Sequence, residues 1–465
     1  AGDGFHEFLT RGANDRILTD KLIGGFEAVD IGPRFPIANV RRYEANVAAD
    51  GEGEPRDDTW IRHWEMGMGG GPVELIAYVI EEERNYQEVV TADYLMVNYM
   101  TNQLLNGGAS FDDEDPAVFK PGQNNGQIIK DEEFSEECSE FGCIIRSHSP
   151  FIDYPQAGVL NTHAFLARYP STETNRNRAR ARWTYLHFLG VDIEKSAERT
   201  TDPDALADTN NPTLNNPACT SCHALHDPIA GTFQNYGNQG IYRDQHPGLD
   251  ALPNTYKHPQ DYDENADPSE YLYGDTWFRD MRTPGFEGQL APDPSNSLQW
   301  LGSVMSADAR FATAAVKFWW PSLMGAQVLE APASVNDKDF SVRLAAFEAQ
   351  NDFIESLGEQ FAAGIEGGAP YNGKDLITAM ISSNWFRADR VETPDVSDRL
   401  VAELGTGRLL TPEELERKSQ SLLGWKWNTS EYPGSFDNEY SHLGDVYNIY
   451  YGGIDSNGIV DRSSA

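Results

Sequence analysis

Basic residues and cysteines are both scarce in this chain. Of 465 residues only 36 are Lys or Arg, against 73 Asp or Glu, a net charge of −37. So acidic a surface repels nucleic acids and anionic membranes, which excludes both as partners. It suits salty water, calcium, or an electropositive partner protein. Long apolar runs are lacking too. Phe311 to Leu329 (FATAAVKFWWPSLMGAQVL) approaches the length of a membrane span, but Lys317 and Pro321 interrupt it. It reads as a buried helix, and no membrane span is expected. Several catalytic signatures are missing: no H-E-x-x-H, no dinucleotide-binding glycine fingerprint, no nucleophile elbow. The glycine run Gly69 to Gly71 has no Lys-Ser/Thr after it, so it is no phosphate loop and reads as a turn or linker. The first residues, AGDGFHEFLT, do not read as a signal peptide. An extracytoplasmic site would then imply a removed presequence or a longer parent chain.

What is present is enough apolar material for a packed core, with 39% hydrophobic and 11% aromatic residues. Periodicity predicts a mainly α, multi-helical fold with long irregular loops. Helices are expected at Val73 to Glu83, at Thr91 to Leu105 with Thr91 as N-cap, at Pro155 to Arg168 and at Arg176 to Leu189. Further helices are expected at 296–308, 309–328, 336–357, 374–386, 395–404 and 411–424. Composition divides the chain into an N-terminal mixed segment (1–72), a helical pair with an acidic loop (73–150), a central region (151–330) and a C-terminal helical region with a loop-rich tail (331–465).

The four cysteines fall into two pairs. Cys138 and Cys143, in EECSEFGCII, have the spacing of a small loop disulfide, which would place the protein outside the cytosol. Cys219, Cys222 and His223 form Cys-x-x-Cys-His in NNPACTSCHALHDP, the attachment pattern of a c-type haem. Two thiols one helical turn apart can reach the two vinyl groups of one porphyrin, while the adjoining imidazole is aimed at the iron. Zinc is the weaker rival, because only His226 is near and no second Cys-x-x-Cys pair exists. A thioredoxin-type dithiol would want a strand–helix setting rather than Asn, Pro and Asp flanks. His226, three residues past His223, lies on the same side of the helix, so it is expected at the haem or solvent edge rather than as a second axial ligand. A backbone carbonyl near Asp227 or Pro228 is expected to take the Nδ1 proton of His223.

The opposite iron ligand stays open. Met281, in FRDMRTPGFEGQL, competes with His163, His246 and His258, and an open or water-bound position is a further choice. Met305 and Met324 read as core fillers. Arg176, Arg178, Arg180 and Arg182 are conspicuous in so acidic a chain. Their spacing splits them into 176/180 and 178/182. One pair, with Trp183 and Tyr185 nearby, is expected either to hold haem propionates or to form internal salt bridges. DYDENADPSE imitates a calcium loop through Asp261, Asp263, Asn265 and Asp267, but Ala266 and Leu272 stand where an EF-hand has Gly and Glu. Only an irregular Ca2+ site remains there.

Several stretches together carry a resemblance. PVELIAYVIEEERNYQEVVTADYLMVN, NRARARWTYLHFLG followed by NPACTSCHALHDPIAGTFQNYG, SADARFATAAVKFWWPSLMG and DLITAMISSNWFR are similar to segments of the planctomycete and myxobacterial cytochrome-c-like proteins built from several domains of unknown function. The tail YYGGIDSNGIVDR also looks like a piece of that family. The resemblance spans about residues 73 to 390 and is strongest around Cys219, Cys222 and His223. It implies a secreted or periplasmic haem protein with a mostly helical fold, and supplies no reaction. Three functions follow as expectations: electron transfer by a single covalent haem c, a peroxidase-like haem oxidoreductase with an open sixth position, or a haem-containing subunit of a homo- or hetero-assembly. An electron carrier would meet a redox partner protein of positive charge.

Overall fold

In a computed structural model, the protein is described over residues 2–19, 59–125, 134–139, 142–147, 155–169, 177–195, 200–208, 212–236, 283–293, 296–336, 339–387, 410 and 412–424. The fold is mainly α. Among the described residues nine helices have ten or more residues: α1 (Asp3–Ile17), α2 (Thr59–Glu81), α3 (Arg178–Leu189), α4 (Pro217–Thr232), α5 (Ser297–Ser306), α6 (Ala309–Met324), α7 (Phe340–Ala363), α8 (Gly373–Ser382) and α9 (Pro412–Leu423). Three antiparallel two-stranded pairings accompany them: Leu95–Val97 with Lys120–Gly122, Phe134–Ser139 with Gly142–Ser147, and Gly285–Phe286 with Gln289–Leu290.

The core is organised around α6. Asp308 caps its N-terminus by accepting from the Arg310 N–H, and Gly325 ends it in the left-handed region at φ 73°. That conformation costs glycine nothing, which is why the helix stops there. Phe311, Phe318, Trp319 and Trp320 are buried, and α6 packs against α1, α3, α7 and α8. The aromatic run expected to be a buried helix is therefore the centre of the molecule, and among the described residues no helix is long and apolar enough to cross a membrane. One contiguous cluster of buried side chains reaches from Leu9 through Ile76, Phe165, Phe233 and Trp319 to Met380. A smaller cluster, Trp64, Met68, Val97, Tyr99, Met100 and Leu104 among it, fills the space beside the first half of α2.

Two readings of the N-terminal half require correction. The glycine run is not a turn: α2 passes straight through Gly69, Gly70 and Gly71 and continues past Pro72. The glycines are there because neighbours press on the helix. A Cβ on Gly67 would lie 2.4 Å from Asn98 Oδ1, and one on Gly70 would lie 2.9 Å from the Phe119 ring. The segment from Thr91 to Leu105 is likewise not one helix. A single turn, Glu88–Thr91, gives way to the strand Leu95–Val97 and then to a helix, Tyr99–Leu105. The N-cap of that helix is Asn98, in a reciprocal capping box with Thr101. Helix propensity yields here to the capping box, in which Asn98 Oδ1 accepts from the Thr101 N–H and Thr101 Oγ1 accepts from the Asn98 N–H.

Elsewhere the expected helices hold with shifted ends. The stretch beginning at Pro155 is helical only over His163–Arg168. The stretch 374–386 is broken between α8 and a turn at Asn384–Arg387. The stretch 395–404, the DYDENADPSE segment and the tail from 425 onward lie outside the described residues.

Gly67→Ala tests the close approach. An Ala at an exposed mid-helix Gly normally stabilises by about 0.5–1 kcal/mol. Here the added methyl meets the Asn98 cap, so a net loss of about 1–3 kcal/mol is expected. A lowered thermal midpoint confirms it. An unchanged or raised one contradicts the contact.

Candidate functional site

The Cys-x-x-Cys-His segment sits in the first half of α4. Asn216 caps the helix by accepting from the Ala218 N–H, and Pro217 occupies the first helical position, where its missing N–H costs nothing. The helix has two unlike halves. From His226 to Thr232 it is almost entirely buried against α3, α5 and the Gly285–Phe286 strand, whereas Cys219, Cys222 and His223 are only partly covered. Both thiols are free. Burial, then the Asp208 carboxylate and the neighbouring Cys222, push the Cys219 thiol pKa up, so it is protonated at neutral pH.

His223 is gripped by one ring nitrogen. Its Nδ1 lies 2.9 Å from Asp227 Oδ1, one helical turn further along the same face. Asp227 is itself held by Arg178, whose Nε and Nη2 donate to the two carboxylate oxygens at 2.9 and 3.1 Å. Burial alone would raise the Asp227 pKa. The Arg178 guanidinium and the His223 N–H more than offset it and hold the carboxyl well below the usual range. As an anion Asp227 can only accept, so Nδ1 carries the proton and donates. Among the described residues His223 Nε2 has no hydrogen-bond partner. The expected backbone carbonyl is thus replaced by a carboxylate.

His226 does not sit at a solvent edge. It is buried, and its Nε2 donates to the Arg178 carbonyl at 2.6 Å. Its pKa is pushed down to about 4, by burial first and against the pull of Asp227, so it is neutral at pH 7. Arg178 therefore closes a ring between two helices: its side chain holds Asp227 and its carbonyl holds His226.

The arginines divide by partner. Arg178 reaches the motif helix. Arg180 is fully buried, with Nε and Nη2 donating to the Leu166 carbonyl, Nε also to that of Tyr169 and Nη1 to that of Tyr236. Arg182 makes a two-pronged pair with Asp192 at 2.9 and 2.7 Å and lies over the Trp183 ring. Trp183 stacks on Tyr169 and His187. Arg178 and Arg182 thus have different protein partners: Arg178 touches the motif helix, while Arg182 pairs with Asp192 and lies over Trp183. Tyr185 donates to Glu287. Met305 is buried in the core, and Met324 packs on its margin.

Of the candidates for the opposite ligand, Met281, His246 and His258 lie outside the described residues, as does Arg176. His163 is buried in a small cavity lined by Gly67, Met68, Met96, Thr101 and Leu105, which no residue of α4 lines. Cys138 and Cys143 stand directly opposite one another in the hairpin register; their side chains lie outside the described residues.

The rival zinc reading can be weighed on the same geometry. His223, His226 and Asp227 each bring a ligand atom within 4.8 Å of the others. Yet His226 and Asp227 are both committed to Arg178, and neither thiol joins that group. A Cys2His site is not gathered. For a covalent haem the donor set fits: two free thiols and an imidazole whose Nε2 is unengaged. Apolar surface lies at hand, with Leu225 40% exposed on the motif helix and Leu206 68% exposed two residues before Asp208, whose carboxylate accepts from Asn216.

Residues 156–246 match the PSCyt3 family, described as a protein of unknown function (DUF1588). It is a cytochrome-c-like domain family of planctomycetes. The PSCyt3 match takes in the His163–Arg168 turn, α3 and the whole of α4, and so encloses the Arg178–Asp227–His223 chain. No curated protein and no solved structure matches the chain.

His163 offers a pH test. Burial lowers its pKa to about 4. The unfolded chain takes up this proton near pH 6.5 and the folded chain only near 4, so the contribution of this residue to stability is complete above pH 6.5 and is lost as pH falls towards 4. The loss amounts to roughly 3 kcal/mol at pH 4. His163→Gln should be less acid-sensitive than the parent over that window in urea titrations. Parallel pH profiles would count against the buried neutral imidazole.

Proposed function

We propose that the protein is a monohaem c-type cytochrome that transfers electrons through a haem covalently attached at Cys219 and Cys222, with His223 as axial ligand. The observation that carries this reading is His223 itself, with Nδ1 donated to Asp227 and Nε2 unengaged beside two free thiols. The cytochrome-c-like family match over the same helix supports it.

When bound, the haem supplies a one-electron Fe(III)/Fe(II) couple. The rest is the work of the chain. Cys219 and Cys222 would hold the haem through thioether bonds, each S–H adding across one vinyl group with no net oxidation, and burial keeps the Cys219 thiol protonated. The buried half of α4 anchors the site to α3 and α5, so the His223 imidazole hangs from a rigid base rather than a loop. The exposed Leu225 on the motif helix would be available for apolar contact with a bound porphyrin. Met281 and the histidines His246 and His258 remain the candidates for the opposite side, together with an open position. An open position would make the protein a haem oxidoreductase instead. The acidic surface fits an electropositive redox partner, and thioether attachment together with a Cys138–Cys143 disulfide fits a periplasmic or extracellular location.

Expression with a haem-attachment system tests the proposal. Intact mass should rise by one haem, and Cys219→Ala with Cys222→Ala should abolish the gain. A low-spin reduced spectrum indifferent to CO and cyanide supports electron transfer. A high-spin iron that binds them favours the enzyme. A mass without haem would falsify both.

A further inference from the structure

The partner of His223 is an ionised carboxylate, and that choice has consequences for the iron. A carbonyl would only orient the imidazole. An anion also draws its Nδ1 proton away and raises the electron density at Nε2. We propose that Asp227, anchored by Arg178, is a positioning residue that holds His223 as the Nδ1–H tautomer and makes it a strong donor, biasing a bound haem towards the ferric state. The inference rests on the haem reading above.

Three features of the geometry carry it. Asp227 sits one turn beyond His223 on the same helix, so the 2.9 Å contact needs no loop to form. Its carboxylate is nearly inaccessible, at 4% side-chain exposure, so water does not compete for the His223 proton. The same Oδ1 that faces His223 also accepts from Arg178 Nε, which fixes the carboxylate plane. Arg178 is in turn tied at its own carbonyl by His226 Nε2. Two helices therefore clamp the orientation of one imidazole. Asn177, immediately before Arg178, adopts the left-handed region at φ 59°. It starts α3 at the point where Arg178 can turn towards α4. None of these groups is needed to form the thioethers, which separates this role from attachment.

The tautomer can be read before haem is attached. In the full chain labelled with 15N-histidine and assigned by difference with His223→Gln, His223 should show protonated Nδ1 and bare Nε2. An Nε2–H form overturns the proposal. Arg178→Gln, which leaves the carboxylate unanchored, should give a mixture of tautomers; a single Nδ1–H population there removes Arg178 from the device. In the haem-loaded protein, Asp227→Asn keeps an acceptor oxygen but removes the charge. The ferric-to-ferrous ratio at a fixed potential should fall about tenfold, a positive shift of about 59 mV for one electron. Loaded protein with an unmoved potential overturns the inference while leaving the haem reading intact. Absence of haem from the parent protein instead overturns the haem reading and is seen separately by mass.

Discussion

Arg178 grips Asp227 with two hydrogen bonds where α3 crosses α4, and the placement of the Cys-x-x-Cys-His segment follows from that grip. Removing either partner would strand the other charge in a buried setting, which is far more costly than the pair is favourable. The pair is therefore better understood as a device of specificity than of stability. It admits one rotation of α4 against α3, and that rotation sends His226 inward to the Arg178 carbonyl while leaving Cys219, Cys222 and His223 only partly covered.

The same logic runs through the other arginines of α3. Arg180 satisfies carbonyls at the end of the His163–Arg168 helix and at Tyr236. Arg182 holds Asp192 just past the end of its own helix. In a chain with twice as many acids as bases, these few buried guanidinium groups are spent on fixing backbone and carboxylates rather than on the surface. Each is fully provided with acceptors, as a buried cation must be. The planar fork of arginine allows this and the point charge of lysine would not.

The motif was the most legible part of the molecule. Cys219, Cys222 and His223 are read from a contiguous spacing, because the Cys-x-x-Cys-His pattern is a purely local one. The amphipathic helices were legible for a similar reason: α5 and α6 carry an apolar face at helical period, and α6 has its Asp308 cap adjacent in sequence. Asp227 was within reach as well, since His223 and Asp227 are four residues apart and share a helix face. A carbonyl was expected there instead, because nothing local revealed that the Asp227 carboxylate would be pinned in reach of His223. That information sits in Arg178, 49 positions away. Gly69 to Gly71 misled for the converse reason. A glycine run reads as a turn unless one knows that Met96, Asn98 and Phe119 crowd the helix.

The sequence by itself determined a helical chain with one Cys-x-x-Cys-His segment, because both depend on residues within a few positions of one another. Tertiary structure alone decided which side of α4 faces the core, which arginine reaches the motif, and that an anion rather than a carbonyl holds His223. Those outcomes depend on side chains converging from distant segments in a low-dielectric interior, where a buried charge must find its counter-charge and a helix has only one rotation that supplies it.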